Sequence, residues 1–380
     1  MRILTAGESH GEYNLAIIEG FPKGVKIEES FINSELRRRM SGYGRGARMS
    51  IEDDKVCIVS GLRNKITLGS PIAVLVKNRD SKISSRKKDN LPALNVPRPS
   101  HADLAGAFKY NDKDVRNILE RASARETVSR VCTGAICKQF LSQFEIKIAG
   151  FTLSVGGVRC TKLPKNISEI RRSTKNSLLN CPDSSAEKKM IKAIDNCRKN
   201  KDTLGGVIQI RIEGVSAGIG DFTHFDRRLD ARLAYYLMSI PAVKGFEIGL
   251  GFEYSRRKGS LSHDSIYYSP RKGFFRKSNN SGGIEGGVST GEPIVCRIAM
   301  KPIATLQKPL DSVNLCSLKQ TKAVVERSDT CAIEACGVIA ESMSAFVLTE
   351  LFLDKFGRDS LSDIKSNYRN FLKSRKKRFS

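Results

Sequence analysis

Two of the four histidines lie in short segments flanked by glycine or proline, where a side chain could transfer protons. His10 stands in "GESHG", and His101 stands in "RPSHADLAG" directly before a predicted helix. Imidazole titrates near neutral pH, which suits general acid and base chemistry. A turn with a hydrogen-bonded histidine is the alternative for either segment. His224 and His263 match no motif, and we expect them at the surface.

Arginine and glycine cluster in two further motifs. The stretch "RRRMSGYGRGARMSIE" at 37–52 holds five arginines and three glycines, and "ILERASARETVSR" at 118–130 places Arg121 and Arg125 on one helix face. Guanidinium groups bind phosphates and carboxylates through paired hydrogen bonds, and glycine lets the backbone approach a ligand. These motifs indicate an anion site, with a solvated basic surface as the alternative.

A glycine-rich loop is followed by a lysine and an Arg-x-Asp sequence. The three stretches are "SGGIEGGVSTG" at 281–291, "KPIAT" at 301–305 and "ERSDTCAIEACG" at 326–337. Together they could cradle a phosphorylated planar cofactor. They match neither GxGxxG after a strand nor GxxxxGK[ST], so the standard nucleotide-binding motifs are excluded.

Mixed helices and strands must position these motifs. Short apolar runs predict strands at 13–19, 55–60, 71–76, 206–212 and 294–300. Helical spacing predicts helices at 30–40 with Ser30 as N-cap, at 113–145 with Gly134 as its one weak point, at 226–239 and at 332–356. Because strand and helix do not alternate regularly, Rossmann and TIM folds are disfavoured.

Composition narrows the class of protein. The chain has 380 residues, 40% of them hydrophobic, and a formal net charge of +25, which favours phosphorylated or polyanionic partners. The ten cysteines form no CxxC pair and no zinc spacing, so we predict reduced thiols and no metal site. The start of the chain lacks an apolar leader, and no long apolar run predicts a membrane span. We therefore expect a cytoplasmic protein.

Two basic segments stand apart from the motifs. Residues 160–204 are rich in Lys, Asn and Ser, and we interpret them as an exposed insertion. Residues 368–380 carry six Lys or Arg and no acid, and we interpret them as a basic C-terminal tail that is dispensable for chemistry. The remainder, 1–367, is predicted to form a single domain.

Eight stretches, taken in order, resemble the chorismate synthase family. They are "GESHG", "GRGARMSIE", "RPSHADLAGAFKY", "RASARETVSR", "FDRRLDARLAYYLMSIPAVKGFEIG", "GGIEGGVSTGEPI", "KPIAT" and "ERSDTCAI". The resemblance covers most of the chain outside the two basic segments. It departs from the family pattern at Ser100, where glycine is usual, at Glu334, where proline is usual, at Cys336, where a small residue is usual, and at Met40–Ser41, where proline-glycine is usual.

The resemblance implies a fold and a reaction. The fold would be α+β, a β-α-β sandwich with central helices between antiparallel sheets, in a homotetramer. The enzyme would be a carbon–oxygen lyase that converts 5-enolpyruvylshikimate 3-phosphate to chorismate and phosphate by 1,4-trans elimination. This last step of the shikimate pathway requires reduced FMN although it has no net redox change. Whether NADPH serves as the reductant on this chain stays open.

The resemblance also assigns catalytic roles at matching positions. His10 is expected to donate a proton near the departing phosphate. His101 is expected to protonate the reduced flavin, and Asp329 to help the flavin accept the substrate proton.

Binding roles carry over in the same way. Arg39 and Arg45 match positions linked to NADP and, with Arg121 and Arg327, are expected to hold phosphates and carboxylates. The expected flavin contacts are Arg121, Ala122, Ser123, Ala242, Gly286, Lys301, Pro302, Ile303, Ala304, Thr305 and Arg327.

Three other functions compete with this interpretation. The high positive charge suggests nucleic-acid binding, but the chain shows no recognised module and no pattern of basic and aromatic residues. A NADPH-dependent flavin reductase would use the same cofactor in net redox chemistry. A catalytically inactive homologue is disfavoured, because both motif histidines and Asp329 are retained.

Overall fold

The computed structural model describes residues 1–46, 52–83, 91–271, 273–326 and 328–379. The helices are α1 (Glu29–Met40), α2 (Asp103–Tyr110), α3 (Val115–Ala122), α4 (Thr127–Ser142), α5 (Ile167–Thr174), α6 (Ser184–Lys199), α7 (Leu229–Met238), α8 (Ile333–Phe356) and α9 (Leu361–Phe379). The strands are β1 (Arg2–Ala6), β2 (Tyr13–Glu19), β3 (Val56–Ser60), β4 (Leu62–Arg63), β5 (Ile66–Thr67), β6 (Ile72–Lys77), β7 (Lys147–Val155), β8 (Val158–Arg159), β9 (Gly206–Glu213), β10 (Val243–Ile248), β11 (Ile266–Ser269), β12 (Gly273–Arg276), β13 (Ile284–Glu285), β14 (Val288–Ser289), β15 (Ile294–Met300), β16 (Asp311–Val313) and β17 (Gln320–Lys322).

Two antiparallel sheets enclose a layer of helices. The N-terminal sheet has the order β1-β2-β6-β3, and the second sheet has the order β10-β15-β9-β7-β8. Helix α4 packs on β2 and β6 of the first sheet, α8 packs on β7 and β9 of the second, and α4 and α8 pack on each other. The predicted α+β sandwich with central helices is confirmed.

The strands form where apolar residues alternate with polar or half-exposed ones. Along β15 every second residue is buried against the helical layer, as the period of a strand requires. The predicted strands at 13–19 and 294–300 match β2 and β15 at both ends. The predicted helix at 30–40 is also present, but its N-cap is Glu28 rather than Ser30.

Helix α8 forms the centre of the core. By length and composition it could cross a membrane, but 94% of its most apolar stretch is buried inside the protein, as in the core helix of a folded domain. Gly134 of α4 faces it so closely that an added Cβ would lie 2.2 Å from the Ser342 Cβ. Gly134, which we predicted to be the weak point of the helix at 113–145, is therefore the position at which α4 and α8 approach each other closely.

The single helix predicted over 113–145 is wrong. Helix α3 ends at Ala122, Ser123 is extended with φ −63° and ψ 141°, and a 3₁₀ turn at Ala124–Glu126 leads into α4. The Ser123 hydroxyl accepts a hydrogen bond from the Arg125 N–H, which is the capping interaction that starts a new helix. The break places Ser123 and its neighbours at the surface of the helical layer.

Residues 160–204 are only partly an exposed insertion. Helices α5 and α6 present polar faces outward, but Ile167, Ile170, Met190 and Ile194 are buried in the main core. The polar composition of this segment concealed a narrow apolar stripe at helical spacing.

The predicted division at residue 368 falls inside α9. The Tyr368 ring packs against Phe352 with ring centroids 5.2 Å apart, and Phe371 packs against Phe356 at 5.3 Å. Arg375 Nη1 donates to the Ala217 carbonyl at 2.8 Å. A truncation at 368 would therefore cut a packed helix.

Candidate active site

His10 is held by a carboxylate from a distant segment. Its Nδ1 lies 2.8 Å from Glu120 Oε1, and its backbone N–H donates to Glu120 Oε2 at 2.8 Å. Glu120 belongs to the last turn of α3 and is buried. A neutral His10 that donates from Nδ1 presents the lone pair of Nε2 to a ligand, and a protonated one presents an N–H.

The loop around His10 is tied to the break between α3 and α4. Ser9 Oγ donates to Ser123 Oγ at 3.1 Å, and the Ser9 N–H donates to the Glu120 carbonyl at 2.8 Å. The Asn78 side-chain amide donates to the Gly11 carbonyl at 2.7 Å. The predicted residues His10 and Ser123 therefore belong to one hydrogen-bonded unit.

His101 has its carboxylate partner two residues away. Its Nδ1 lies 2.5 Å from Asp103 Oδ1, and Arg98 Nε donates to Asp103 Oδ2 at 2.8 Å. Asp103 is 1% exposed and Arg98 is 7% exposed. Burial alone would raise the pKa of Asp103, but hydrogen bonds from His101 and Arg98 hold it well below its usual range. Asp103 is therefore a carboxylate that fixes the His101 ring.

The KPIAT stretch contacts the same centre. Arg98 Nη1 donates to Thr305 Oγ1 at 2.9 Å, and Lys301 Nζ donates to the Ser100 carbonyl. The Lys301 backbone N–H donates to the Ala242 carbonyl at 2.9 Å. The structure thus brings His101, Lys301, Thr305 and Ala242 together.

Ser100 adopts a backbone conformation that favours glycine. Its φ is +62°, in the left-handed region. The departure from the family's usual glycine therefore places a side chain where the backbone is least tolerant of one. The strain lies directly beside His101.

Asp329 and Arg45 form a third group. Arg45 Nη1 lies 3.2 Å from Asp329 Oδ2, and the Gly46 N–H donates to Asp329 Oδ1 at 2.6 Å. Both side chains are partly accessible. Arg327, expected beside them, lies outside the described residues, as does Arg48 of the arginine motif.

Arg39 is placed differently from its expected role. It is 4% exposed, and its guanidinium donates to Thr127 Oγ1, Asp54 Oδ2 and the Ala124 carbonyl at 3.1 to 3.3 Å. Burial lowers the pKa of Arg39 to about 10, so it stays charged at neutral pH. This geometry favours a structural role, in which Arg39 fixes the turn before α4, over direct contact with an anion.

Two predicted cations have neutral partners. Arg121 donates to the Gly7 carbonyl at 3.0 Å and to the Thr5 carbonyl and hydroxyl at 2.9 and 2.8 Å. Lys301 donates to a backbone carbonyl. Burial lowers the pKa of Lys301, and the charge of Lys244 lowers it further. Among the described residues neither side chain donates to a carboxylate, so no ion pair competes with an anionic ligand for these donors.

The other expected flavin contacts lie in separate elements. Ala122 ends α3, Gly286 forms the turn between β13 and β14 at φ +58°, and Pro302 is exposed. The Ile303 carbonyl accepts a hydrogen bond from Thr203 Oγ1 at 2.7 Å, and Ala304 is half-buried. Among the described residues, no group of three or more His, Cys, Asp or Glu side chains is arranged to hold a metal ion. All ten cysteines are free thiols.

Sequence reasoning did not single out Glu120, Arg98, Asp103 or Asn78. Three of them stood within quoted motifs, Arg98 and Asp103 on either side of His101 in "RPSHAD" and Glu120 in "ILERASARETVSR". The spacing Arg-x-x-His-x-Asp was a usable signal for a charged pair beside the imidazole. Glu120 and Asn78 gave no such signal, because each reaches the His10 loop only through the fold.

The family model described as chorismate synthase matches residues 1–353. The chain is 48% identical to the chorismate synthase of Thermoanaerobacter pseudethanolicus over 372 residues, covering 98% of each chain. It is 49% identical to that of Caldanaerobacter subterraneus subsp. tengcongensis over 372 residues, again covering 98% of each. A crystal structure of chorismate synthase superposes with a TM-score of 0.81 at 40% identity, covering 98% of this chain and 97% of that one.

Proposed function

The chain belongs to the chorismate synthase family, and from that premise we propose that it converts 5-enolpyruvylshikimate 3-phosphate to chorismate and phosphate by 1,4-trans elimination with reduced FMN. In this reaction a C–O bond to phosphate and a C–H bond on the opposite face break while a new C=C bond forms. The enzyme must neutralise the departing phosphate and manage one proton.

The paired histidine centres carry the proposal. Each motif histidine directs Nδ1 at a buried carboxylate, His10 at Glu120 and His101 at Asp103. A carboxylate on Nδ1 fixes the ring and its tautomer and leaves Nε2 for proton transfer, which is the logic of histidine in hydrolase triads. Two such centres in one chain suit a reaction that handles both a phosphate leaving group and a cofactor.

His10 would act on the phosphate side. Arg121 donates to the Gly7 carbonyl of the same loop, so a fixed positive charge accompanies the imidazole. An Nε2–H of His10 and the guanidinium of Arg121 would together stabilise the charge that develops on the leaving oxygen. Arg45, paired with Asp329, would orient a substrate carboxylate or phosphate.

The His101 side would hold reduced FMN. Lys301 and the backbone that follows it would hold the cofactor phosphate, and Ala242, Ser123 and Thr305 would hold the rest of the cofactor. When bound, reduced FMN supplies transient electron donation that helps expel phosphate and is returned as the C–H bond breaks. His101 would hold a proton at Nε2, and Asp329 would assist the removal of the substrate proton.

An anaerobic phosphate-release assay tests the proposal. With 5-enolpyruvylshikimate 3-phosphate and FMN reduced beforehand in amounts stoichiometric with enzyme, many chorismate molecules should form per flavin. Oxidised FMN should give no product, and a parallel reaction with NADPH and oxidised FMN decides whether this chain reduces its own cofactor. Consumption of one NADPH per product would overturn the lyase and favour a reductase.

The assembly and location implied by the family also remain proposals. We propose a homotetramer, for which light scattering after size-exclusion chromatography should give a mass near four times 42.0 kDa. A monomeric mass at assay concentrations would contradict it. The cytoplasmic location stays a prediction from the sequence.

A further inference from the structure

The loop that carries Arg45 is bound along its length to the segment before α8. The Thr330 N–H donates to the Gly44 carbonyl at 2.8 Å, and the Gly46 N–H donates to Asp329 Oδ1 at 2.6 Å. The fit is close at Gly44, where an added Cβ would lie 3.2 Å from the Cys331 backbone nitrogen. The position of Arg45 therefore depends on the partners of this loop.

Glu334 is one of those partners. It lies in the first turn of α8, and its Oε2 accepts a hydrogen bond from the Tyr43 N–H at 3.1 Å. A Cβ built on Gly42 would lie 2.1 Å from the same oxygen, and Gly42 has φ +121°. The Glu334 carboxyl thus fills the notch that Gly42 leaves in the loop.

The surroundings of Glu334 set its charge. Burial raises the pKa of Glu334 to about 8, and the carboxylate of Glu187 on α6 raises it as well. The Tyr43 N–H, Arg45 and, more weakly, Arg38 of α1 oppose this effect. Asp329, the ion-pair partner of Arg45, lies on the same segment as Glu334. At neutral pH the group is therefore mostly an uncharged carboxylic acid, while the Arg45 guanidinium is paired with Asp329.

We propose that Glu334 is a positioning residue for Arg45. As a neutral acid it holds the loop 42–46 in register and leaves Arg45 to Asp329 and to the anionic substrate. As a carboxylate it competes with both for the Arg45 guanidinium. The inference rests on the proposed function, in which Arg45 binds a substrate anion.

The consequence is a binding defect that grows above neutral pH. If only the neutral form of Glu334 leaves Arg45 competent, the competent fraction falls to about one tenth at pH 9, so substrate KM should rise roughly eight- to tenfold from pH 7 to pH 9. The substrate phosphate does not explain such a rise, because phosphate monoesters complete their second ionisation near pH 6. The kcat should change less than KM, since Glu334 does not touch the reacting atoms.

Steady-state kinetics of phosphate release from pH 6.5 to 9 test the proposal. Glu334→Gln keeps an oxygen for the Tyr43 N–H and cannot ionise, so its KM should not rise with pH. Glu334→Asp keeps a titrating acid and should restore the rise. The matched control is Glu29→Gln, an exposed acid in the first turn of α1, whose profile should follow the wild type.

A flat KM profile in the wild type, or an equal rise in Glu334→Gln, would overturn the inference. Absence of phosphate release at every pH would instead defeat the proposed function. Thermal melting tests the inference about Glu334 separately from the proposed function, because it requires no catalytic turnover. A raised pKa in the folded state means that stability present at acidic pH is lost as pH rises through about 8. From pH 6 to 9 the wild type should therefore lose about 2 °C relative to Glu334→Gln, and parallel melting curves would count against the inference.

Discussion

The two histidine centres reach the same geometry by different routes. His101 takes its carboxylate from Asp103, two residues along the chain, and Arg98 completes a buried local triad. His10 takes its carboxylate from Glu120, 110 residues away, and the contact exists only because the first loop lies against the end of α3. One centre is preassembled by its own segment, and the other is assembled by folding.

The difference also extends to charge and strain. The guanidinium of Arg98 is buried and neutralised by Asp103, whereas Arg121 beside the His10 loop has neutral oxygen partners. The His10 loop begins with Gly7 at φ +112°, where any side chain would collide with the Tyr13 carbonyl. The His101 segment instead accepts Ser100 at φ +62°. In the local centre Arg98 is therefore paired with a carboxylate, whereas Arg121 beside the assembled centre donates only to neutral oxygens.

Removal of either imidazole should cause the largest loss of activity, and the loss should be similar for His10 and His101. His10→Ala and His101→Ala should each lower kcat by about 100-fold or more, because both are predicted to transfer protons. Stability should change by no more than about 1 kcal/mol, since both side chains are partly exposed. Anaerobic phosphate release and urea unfolding provide the two readouts. Full activity in either variant would show that the histidine removed in it does not take part in the reaction.

Neutralisation of Asp103 and of Glu120 should lower the free energy of unfolding by different amounts. Asp103→Asn leaves Arg98 buried without its ion pair and should cost about 3 kcal/mol of unfolding free energy. Glu120→Gln keeps an acceptor for His10 and leaves no buried arginine, so its cost should be about 1 kcal/mol. Urea unfolding at pH 7 measures both, and equal costs would show that Arg98 finds another partner.

Acidic pH should remove the contribution of Asp103 to the free energy of unfolding. Because the folded-state pKa of Asp103 is held below its usual range, its contribution is present above about pH 4 and is lost as pH falls further. The stability difference between wild type and Asp103→Asn should therefore be constant from pH 7 to 5 and shrink below pH 4. A difference that shrinks already between pH 7 and 5 would assign the effect to another group.

Lysine in place of Arg121 should weaken ligand binding, whereas lysine in place of Arg98 should lower stability. Arg121→Lys keeps the charge but loses the planar fork, so substrate or FMN affinity should fall by about tenfold while stability is preserved. Arg98→Lys should lower stability, because one ammonium cannot reach both Asp103 and Thr305. Titration of FMN fluorescence and thermal melting distinguish them. Unchanged affinity in Arg121→Lys would make Arg121 a structural residue as well.

The smallest effect should come from relieving the strain at Ser100. Ser100→Gly should raise the unfolding free energy by about 0.5 to 1 kcal/mol, because glycine adopts positive φ without a steric cost. Ser9→Gly is the matched control in the other centre, and it should destabilise because it removes the hydrogen bond to Ser123. Urea unfolding measures both, and a loss of stability in Ser100→Gly would show that the serine hydroxyl compensates the backbone.

The contrast between the centres also marks what the sequence could predict. The strands at 13–19 and 294–300 followed from the period of their apolar residues. The sandwich followed only from the family resemblance of the motifs, and the catalytic roles of His10 and His101 stay predictions. The break at Ser123 did not, because the apolar spacing of 113–145 continues through it and only a side-chain cap interrupts the helix. Arg39 and Arg45 looked equivalent in one basic stretch, yet burial beside Asp54 makes one of them internal.

Partners that are distant along the chain could not be predicted from the sequence, for a related reason. Glu120 and Asn78 have ordinary local sequence, and their contact with the His10 loop is a property of the packed sheets and helices. The buried faces of α5 and α6 were likewise hidden by the lysines around them. Sequence patterns report the period of an element, whereas these features depend on which elements meet.

The central position of α8 has a consequence for synthesis. This helix lies between the two sheets, yet along the chain it follows every strand of both sheets. Until α8 emerges, the inner face of the sheet formed from residues 147–300 lacks the helix that packs on β7 and β9, whereas α4 already covers the first sheet. A nascent chain that has not yet reached residue 333 therefore carries exposed apolar surface, which makes it a substrate for chaperones. Ribosome-bound chains stalled before residue 333 should be digested readily by protease, and chains that include α8 and α9 should resist.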